Sequence, residues 1–136
     1  MTISTYERLL REMCEHVGIH DWWNAVQTQH VTVDDTIVGL IYTEDIDPPS
    51  ILICINLGAL DAETSAMQYR TLLELNVLLA KGQSGYFGIH PTEELWVYMA
   101  RVDLTRTLNG KWLADFIALQ IRAAQGILEA TFSIKQ

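Results

Sequence analysis

The sequence is poor in several residue types, and each shortage excludes a class of protein. Two cysteines among 136 residues are too few for a disulfide framework. Cys14 and Cys54 both lie in apolar segments, and we interpret them as buried, reduced thiols in a reducing cytoplasm. Prolines number only three, and no low-complexity segment or linker is present. No apolar run reaches the roughly 20 residues that a membrane-spanning helix needs, and the N-terminus lacks the pattern of a secretory signal.

Positive charge is also scarce. Nine Lys and Arg residues face 17 Asp and Glu residues, which gives a net charge of −8. Arg11 and Arg70 are consecutive basic residues, and ten acids from Glu12 to Glu63 lie between them. Because a nucleic-acid-binding protein needs positive charge to meet phosphate, this distribution argues strongly against DNA and RNA partners. The acids either keep the protein soluble or form an acidic face that helps to select partners, and the sequence supports both readings equally.

The sequence also lacks a recognisable catalytic motif. It has neither a Gly-x-Ser-x-Gly elbow nor a phosphate-binding loop. His16 and His20 have the spacing of metal ligands on one helical face, with Cys14 as a third candidate. Gly18 lies between the two histidines and is expected to end the helix, which spoils that geometry. We therefore predict no catalytic site, no cofactor and no metal.

Hydrophobic periodicity predicts a single domain over residues 1–136, in the order helix, three strands, helix, two strands, helix. The apolar fraction of 49% and the charged fraction of 19% are typical of a globular chain. A capping box at Ser4 and Glu7 marks the start of the first helix, and Asp61 is the predicted N-cap of the second. Residues 20–29 are interpreted as a connector and residues 58–61 as a turn. The predicted helices are 4–17, 62–80 and 109–130, and the predicted strands are 30–34, 36–43, 51–57, 85–90 and 94–104.

These elements carry more apolar surface than one copy can bury. Strands 36–43 and 51–57 are apolar at both odd and even positions, so they need cover on both faces. The second helix is apolar around much of its later half, which implies contact on more than one side. Short turns between strands favour antiparallel pairing and an α+β layer fold. Three helices cover one face and part of the other, and the remainder must meet a partner. Of Trp22 and Trp23, we expect one to pack in the core and one to contact that partner.

A run of motifs then resembles a known family. Residues 72–79 (LLELNVLL) are followed by Gly82, by the strand 85–90 (GYFGIH) and by the strand 95–99 (LWVYM). In order and spacing these motifs, with the helix opening at 108–116, resemble the class I effector chaperones of type III secretion systems, in the CesT/Tir chaperone family. The resemblance covers essentially the whole chain, although the first third matches by pattern only. His90 stands where family members often carry an acid.

The resemblance implies an α-β-β-β-α-β-β-α fold in which helices pack on an antiparallel sheet. It implies a homodimer in the bacterial cytoplasm, with no ATPase activity of its own and with the secretion ATPase as a further candidate partner. The dimer would bind the N-terminal segment of a cognate effector in extended form and keep it soluble and competent for secretion. The alternatives that stay open are a dimeric adaptor or regulator of the same fold and, least favoured, a small enzyme.

The resemblance also assigns residues to these two roles. The dimer interface would contain Leu75, Leu78, Leu79, Phe87 and Ile89. Grooves for apolar effector side chains would contain Leu9, Leu10, Met13, Val38, Leu40 and Ile53. For any one of these residues, a place in the core is the stronger alternative.

Overall fold

Four helices and a five-stranded antiparallel sheet make up the computed structural model, within the residues it describes: 2–45, 48–59, 63, 65–81, 85–105 and 107–133. The elements in chain order are α1 Thr2–Val17, α2 Trp22–Thr28, β1 His30–Val33, β2 Thr36–Thr43, β3 Ser50–Ala59, α3 Ala66–Lys81, β4 Tyr86–Ile89, β5 Leu95–Asp103 and α4 Gly110–Ser133. The strand order is β1-β2-β3-β5-β4, and every neighbouring pair is antiparallel. The predicted α+β class is therefore confirmed, with one additional helix, α2.

Helix α2 lies in the segment that the sequence analysis interpreted as a connector, so that interpretation is wrong. Asp21 caps the helix because its carboxylate accepts a hydrogen bond from the Asn24 backbone N–H at 3.1 Å. Gln29, in the left-handed conformation at φ 58°, ends it. A helix of seven residues is too short for hydrophobic periodicity to show.

Two predicted helix starts are also wrong. Helix α1 begins at Thr2, so Ser4 lies inside the helix and is not its cap. Helix α3 begins at Ala66 with a capping box that the sequence analysis missed. The Gln68 N–H donates to Ser65 Oγ at 3.2 Å, and the Ser65 N–H donates to Gln68 Oε1 at 2.8 Å. The predicted cap Asp61 and the predicted helix stop Gly82 lie outside the described residues.

Strand β3 continues through the predicted turn at residue 58 and ends at Ala59. The register with β5 shifts between Asn56 and Gly58, which marks a β-bulge. Gly58 has a φ of 109°, and its N–H donates to Asn56 Oδ1 at 2.9 Å. A glycine that bends a strand and a glycine that ends one look alike in a sequence, and this explains the error.

The core lies between α1, α4 and one face of the sheet. The register pairs Val38 with Ile55 and Leu40 with Ile53, so these four side chains share that face. The largest fully buried side chains are Tyr6, Tyr98, Leu9, Leu10, Met13, Leu40, Ile51, Ile53, Ile55, Leu113, Ile117 and Val38. The Tyr6 hydroxyl donates to the Leu40 carbonyl at 2.5 Å, and burial raises the pKa of Tyr6 above its ordinary value.

The opposite face of the sheet stays partly uncovered. Ile37 and Ile41 on this face are 50% and 42% exposed. Their neighbours across the sheet, Leu52, Cys54 and Met99, are half-buried. We call this surface the open sheet face. The sequence predicts helices over part of it, but α1 and α4 pack on the other side.

Candidate partner-binding surfaces

The six residues predicted to line effector grooves come together, but they do so inside the core. The structure leaves each of them at most 1% exposed: Leu9, Leu10, Met13, Val38, Leu40 and Ile53. Helix α1 and strands β2 and β3 therefore use these side chains to hold the fold together. In this arrangement they offer no surface to a bound segment, so contacts from these elements would come from other residues.

The five residues predicted at the dimer interface are divided between surface and core. Leu78 is 61% exposed and Ile89 is 43% exposed. Leu75 and Leu79 are half-buried against the core, and Phe87 is only 4% exposed. Leu78 and Ile89 are thus the two members with free apolar surface.

Helix α3 exposes a further set of large apolar side chains. Met67 is 75% exposed, Leu73 66% and Val77 61%. At 100° per residue, Leu73 and Val77 lie along one flank of the outward side, and Met67 and Leu78 lie along the other. Arg70 and Glu74, which form an ion pair at 3.8 Å, occupy the strip between the flanks. We call these exposed residues, Met67, Leu73, Val77 and Leu78, the α3 face. Large apolar side chains exposed together on one helix make this face a candidate protein–protein contact.

A small apolar notch adjoins the α3 face where the helix meets β4. It encloses about 180 Å³ and is lined by Tyr69, Leu72, Leu73, Asn76, Phe87, Gly88, Ile89 and Trp96. The Tyr69 and Trp96 rings lie 5.4 Å apart and close one side of it. A notch of this size and lining suits one apolar side chain from a partner.

A larger groove runs at the opposite edge of the sheet, between β1, the end of α1 and α4. It encloses about 300 Å³ and is lined by His16, Val17, Ile19, Thr32, Val33, Asp34, Ala114, Asp115 and Ala118. A second hollow of about 150 Å³ continues it, and the two share Val33, Asp34 and Ala118. We call the two hollows together the edge groove. Ala114 and Ala118 on α4 keep it open because their side chains are short.

Backbone geometry shows that β1 presents bonding groups to this groove. The Leu40 N–H donates to the Gln29 carbonyl at 2.8 Å, and Val31 lies opposite Val38. Because inward and outward backbone groups alternate in an antiparallel pair, the N–H and C=O of Thr32 point away from β2. Thr32 also lines the edge groove. An extended chain placed there would meet both a strand edge and an apolar floor.

Gln29 closes the neighbouring stretch of strand β2. Its side-chain Oε1 accepts a hydrogen bond from the Tyr42 backbone N–H at 3.0 Å, just beyond the start of β1. Sequence reasoning missed this residue, and a glutamine that follows a short helix carries no signal that would have revealed the role.

As the sequence predicts, one of the two tryptophans packs against the core and the other is exposed. Trp22 packs against the core, and Trp23 is 50% exposed. Their rings meet edge to face with centroids 5.5 Å apart, and the Arg11 guanidinium lies 5.9 Å from the centre of the Trp22 ring. Contact between Trp23 and a partner stays a prediction.

Helix α1 ends at Val17, so His16 and His20 do not share a helical face. Within the described ranges, no group of three or more His, Cys, Asp or Glu side chains is arranged to hold a metal ion. Each helix in that same part of the chain falls short of the length and apolar character that crossing a bilayer requires.

The two cysteines differ in access, and this difference gives a test of the core and the open sheet face. Cys14 is fully buried and Cys54 is half-buried. Burial raises the pKa of both thiols, and the Glu93 carboxylate adds to the rise at Cys54. A raised pKa lowers the reactive thiolate fraction at pH 8. We expect Ellman's reagent to modify Cys54 slowly in the native protein and Cys14 only after unfolding.

Mass spectrometry of the labelled peptides would locate the modified residue. The variant Cys54→Ser should lose the native-state reaction, whereas Cys14→Ser should keep it. Equal native-state labelling of the two thiols would show that the core around α1 is open.

Comparisons with known proteins agree on the architecture. The model of the Tir chaperone protein (CesT) family matches residues 8–128. Among solved structures, nine chains match. One is from the crystal structure of the ExsC-ExsE complex, with a TM-score of 0.66 and 17% sequence identity, over 92% of this chain and 94% of that chain. At this identity the similarity establishes the fold alone. No curated protein matches the sequence.

Proposed function

Because the chain belongs to the Tir chaperone protein (CesT) family, we propose that it is a type III secretion chaperone. It acts as a homodimer that holds the N-terminal segment of a cognate secreted effector in extended form. Binding keeps that effector soluble and competent for secretion. One observation carries the proposal: among the surfaces that a single folded copy leaves uncovered, the α3 face and the edge groove lie at opposite ends of the sheet.

The α3 face supports a contact with a second copy of the chain. Leu78 and Ile89, both predicted at the interface, lie on or beside it, and the notch next to Leu73 can take an apolar side chain. A two-fold contact uses the same patch twice, so a self-complementary apolar surface is what it needs. The ion pair of Arg70 and Glu74 lies within this face, so Arg70 of one copy can pair with Glu74 of the other across the axis.

The edge groove supports binding of an extended effector segment. A strand added beside β1 would bond to the N–H and C=O of Thr32 and place alternate side chains over Ala114 and Ala118. Main-chain bonds of this kind accept many sequences, and the hollows select side chains. Asp34 and Asp115 line the groove, but Asp115 is paired with Lys111 at 3.1 Å and Arg122 lines the second hollow, so it is the net charge of −8 that favours a basic segment.

Two copies would give one effector chain two grooves. A chain that occupies both gains affinity through effective concentration, without any new type of contact. We place the protein in the bacterial cytoplasm, where the secretion ATPase is a further candidate partner. Binding, and not catalysis, is the activity expected of it.

The proposal is tested by co-purification from the native host. A tagged copy should recover a secreted protein encoded beside it, and the recovered N-terminal segment should resist a protease that digests it when it is free. Recovery of a folded partner without such protection would identify a dimeric adaptor instead. Recovery of no protein, together with a monomeric size, would contradict the chaperone proposal.

A substitution in β1 separates strand addition from groove binding. The variant Thr32→Pro removes the outward N–H but no bond to β2, because proline is tolerated at an edge position whose N–H points away from the sheet. We expect roughly a 10- to 100-fold loss of affinity for the recovered effector segment, with the fold retained. Isothermal titration calorimetry measures the affinity, and circular dichroism measures the fold.

Thr32→Val is the matched control, since it keeps the N–H and the extended backbone. It should bind the effector segment about as tightly as the parent protein. If Thr32→Pro binds as tightly as Thr32→Val, the segment does not add to β1 as a strand.

A further inference from the structure

The side chain of Asn76 bonds to the backbone of strand β4 in the way that a neighbouring strand would. The Phe87 N–H donates to Asn76 Oδ1 at 2.7 Å, and Asn76 Nδ2 donates to the Phe87 carbonyl at 3.0 Å. One amide thus satisfies both main-chain groups of one residue. The bonds lie in the apolar notch beneath α3, where they are partly shielded from water.

The position of Phe87 makes this pairing informative. Strand β4 is the last strand of the sheet and has only four residues. Phe87 lies opposite Tyr98 of β5, yet its N–H and C=O bond to Asn76 on the other side. These are the groups that an edge strand offers to another strand. By the alternation of the register, the outward positions of β4 are Phe87 and Ile89, and Asn76 occupies the first of them.

The other edge of the sheet is arranged differently. Gln29 closes β2 at Tyr42, but the outward groups of Thr32 on β1 face the edge groove. On β1 a side chain reaches only one outward group, the His30 carbonyl, which lies 3.4 Å from Thr28 Oγ1. On β4 the Asn76 amide bonds both the N–H and the C=O of Phe87. Asparagine suits the closed edge because its amide is both donor and acceptor, whereas leucine is neither and aspartate cannot donate.

We propose that Asn76 closes the β4 edge to strand addition and so directs the strand of a bound partner to β1. The inference rests on the proposed function, since it specifies which sheet edge the effector segment uses. It also restricts contact between two copies at β4 to side-chain packing through the α3 face. An effector strand and a twin subunit then have separate places on the molecule.

The proposal is tested on the chaperone alone, without an effector. In Asn76→Ala the Phe87 amide should exchange with deuterium roughly tenfold faster, because its hydrogen bond is lost. Sedimentation velocity over a range of concentrations should show species larger than those of the parent protein, formed by pairing of the opened β4 edges. Asn24→Ala on the exposed surface of α2 is the control and should change neither measurement.

A double variant identifies the edge that mediates the association. Asn76→Ala combined with Thr32→Pro, which blocks the β1 edge, should still form the larger species. Their disappearance in the double variant, or their absence in Asn76→Ala, would overturn the proposal.

A second variant covers the case in which Asn76→Ala loosens α3. Asn76→Asp keeps the acceptor for the Phe87 N–H but places a carboxylate beside the Phe87 carbonyl. The Asn76→Asp variant should form the larger species only at higher protein concentrations than Asn76→Ala does. Thermal melting of both variants shows whether each is folded. A folded Asn76→Asp protein that keeps the parent size at every concentration would also overturn the proposal. Since no effector takes part, these results are independent of whether the co-purification experiment succeeds.

Discussion

Replacing Leu78 with aspartate is expected to convert the proposed dimer into a 15.4 kDa monomer that remains folded. The side chain is 61% exposed in a single chain, so the charge costs little when that chain folds. In the dimer it would lie in a desolvated apolar contact, where an unpaired charge is strongly unfavourable. We expect the dissociation constant of the dimer to rise at least about 100-fold. Size-exclusion chromatography with light scattering measures the mass, and circular dichroism confirms the fold.

Leu119→Asp is the matched control for this experiment. Leu119 is 54% exposed on α4, so it receives the same substitution at similar exposure but outside the α3 face. This variant should remain dimeric. Leu73→Asp, on the other flank of the α3 face, should dissociate the dimer as Leu78→Asp does. Dissociation by Leu119→Asp but not by Leu78→Asp would move the interface to α4.

Replacing Gly110 with alanine is expected to destabilise the protein by about 3 kcal/mol or more, because a close approach of two helices leaves no room for a side chain. A Cβ at this position would lie 2.3 Å from the Glu12 carbonyl carbon and 2.3 Å from the Met13 nitrogen. Both are backbone atoms of α1, so α1 and α4 would have to separate. The displacement would also break the bond in which the Gly110 N–H donates to Glu12 Oε1 at 3.0 Å. Urea denaturation followed by circular dichroism measures the free energy of unfolding.

Gly126→Ala provides a control in the same helix. No heavy atom lies within 4 Å of a Cβ built at Gly126, and alanine is the better helix former. This variant should stabilise the protein by about 0.5–1 kcal/mol. Equal effects at the two glycines would contradict the close contact between α1 and α4.

The order of the strands and the long helices was predictable because each leaves a local signal. Period-two and period-3.6 patterns, turn residues and the glycine at position 18 lie within short windows of sequence. Gly18 has the predicted positive φ, at 83°. Helix α2 and the bulge at Gly58 were missed, since the first is too short to show a period and the second resembles a turn.

The division of apolar residues between core and surface was not predictable, because it depends on which elements meet. Leu10 and Leu78 look alike in their local sequence, yet one is fully buried and the other is 61% exposed. Helix α3 is apolar on more than one side, as predicted, and its packing against β4, β5 and α4 decides which side is covered. The family resemblance assigned α1 and the first strands to effector binding but could not tell their inward from their outward residues.

The roles of the polar residues at the sheet edges could also not be predicted from the sequence. Asn76 is a polar residue within a run of leucines, which marks it as unusual without giving its partner. That partner, Phe87, is eleven residues away and lies beside Asn76 only because β4 packs against α3. Roles of this kind depend on register, which a single sequence does not specify.

The contact between α1 and α4 has a consequence for synthesis on the ribosome. Arg8 bonds to the Leu108 carbonyl and Glu12 to the Gly110 N–H, across 100 and 98 positions of chain. The apolar side of α1, the first helix to be synthesised, is therefore fully covered only after α4, the last helix, has been synthesised. Helix α3 is complete much earlier. Contacts between residues this distant in sequence form late, so the nascent chain exposes apolar surface of α1 until translation is almost finished.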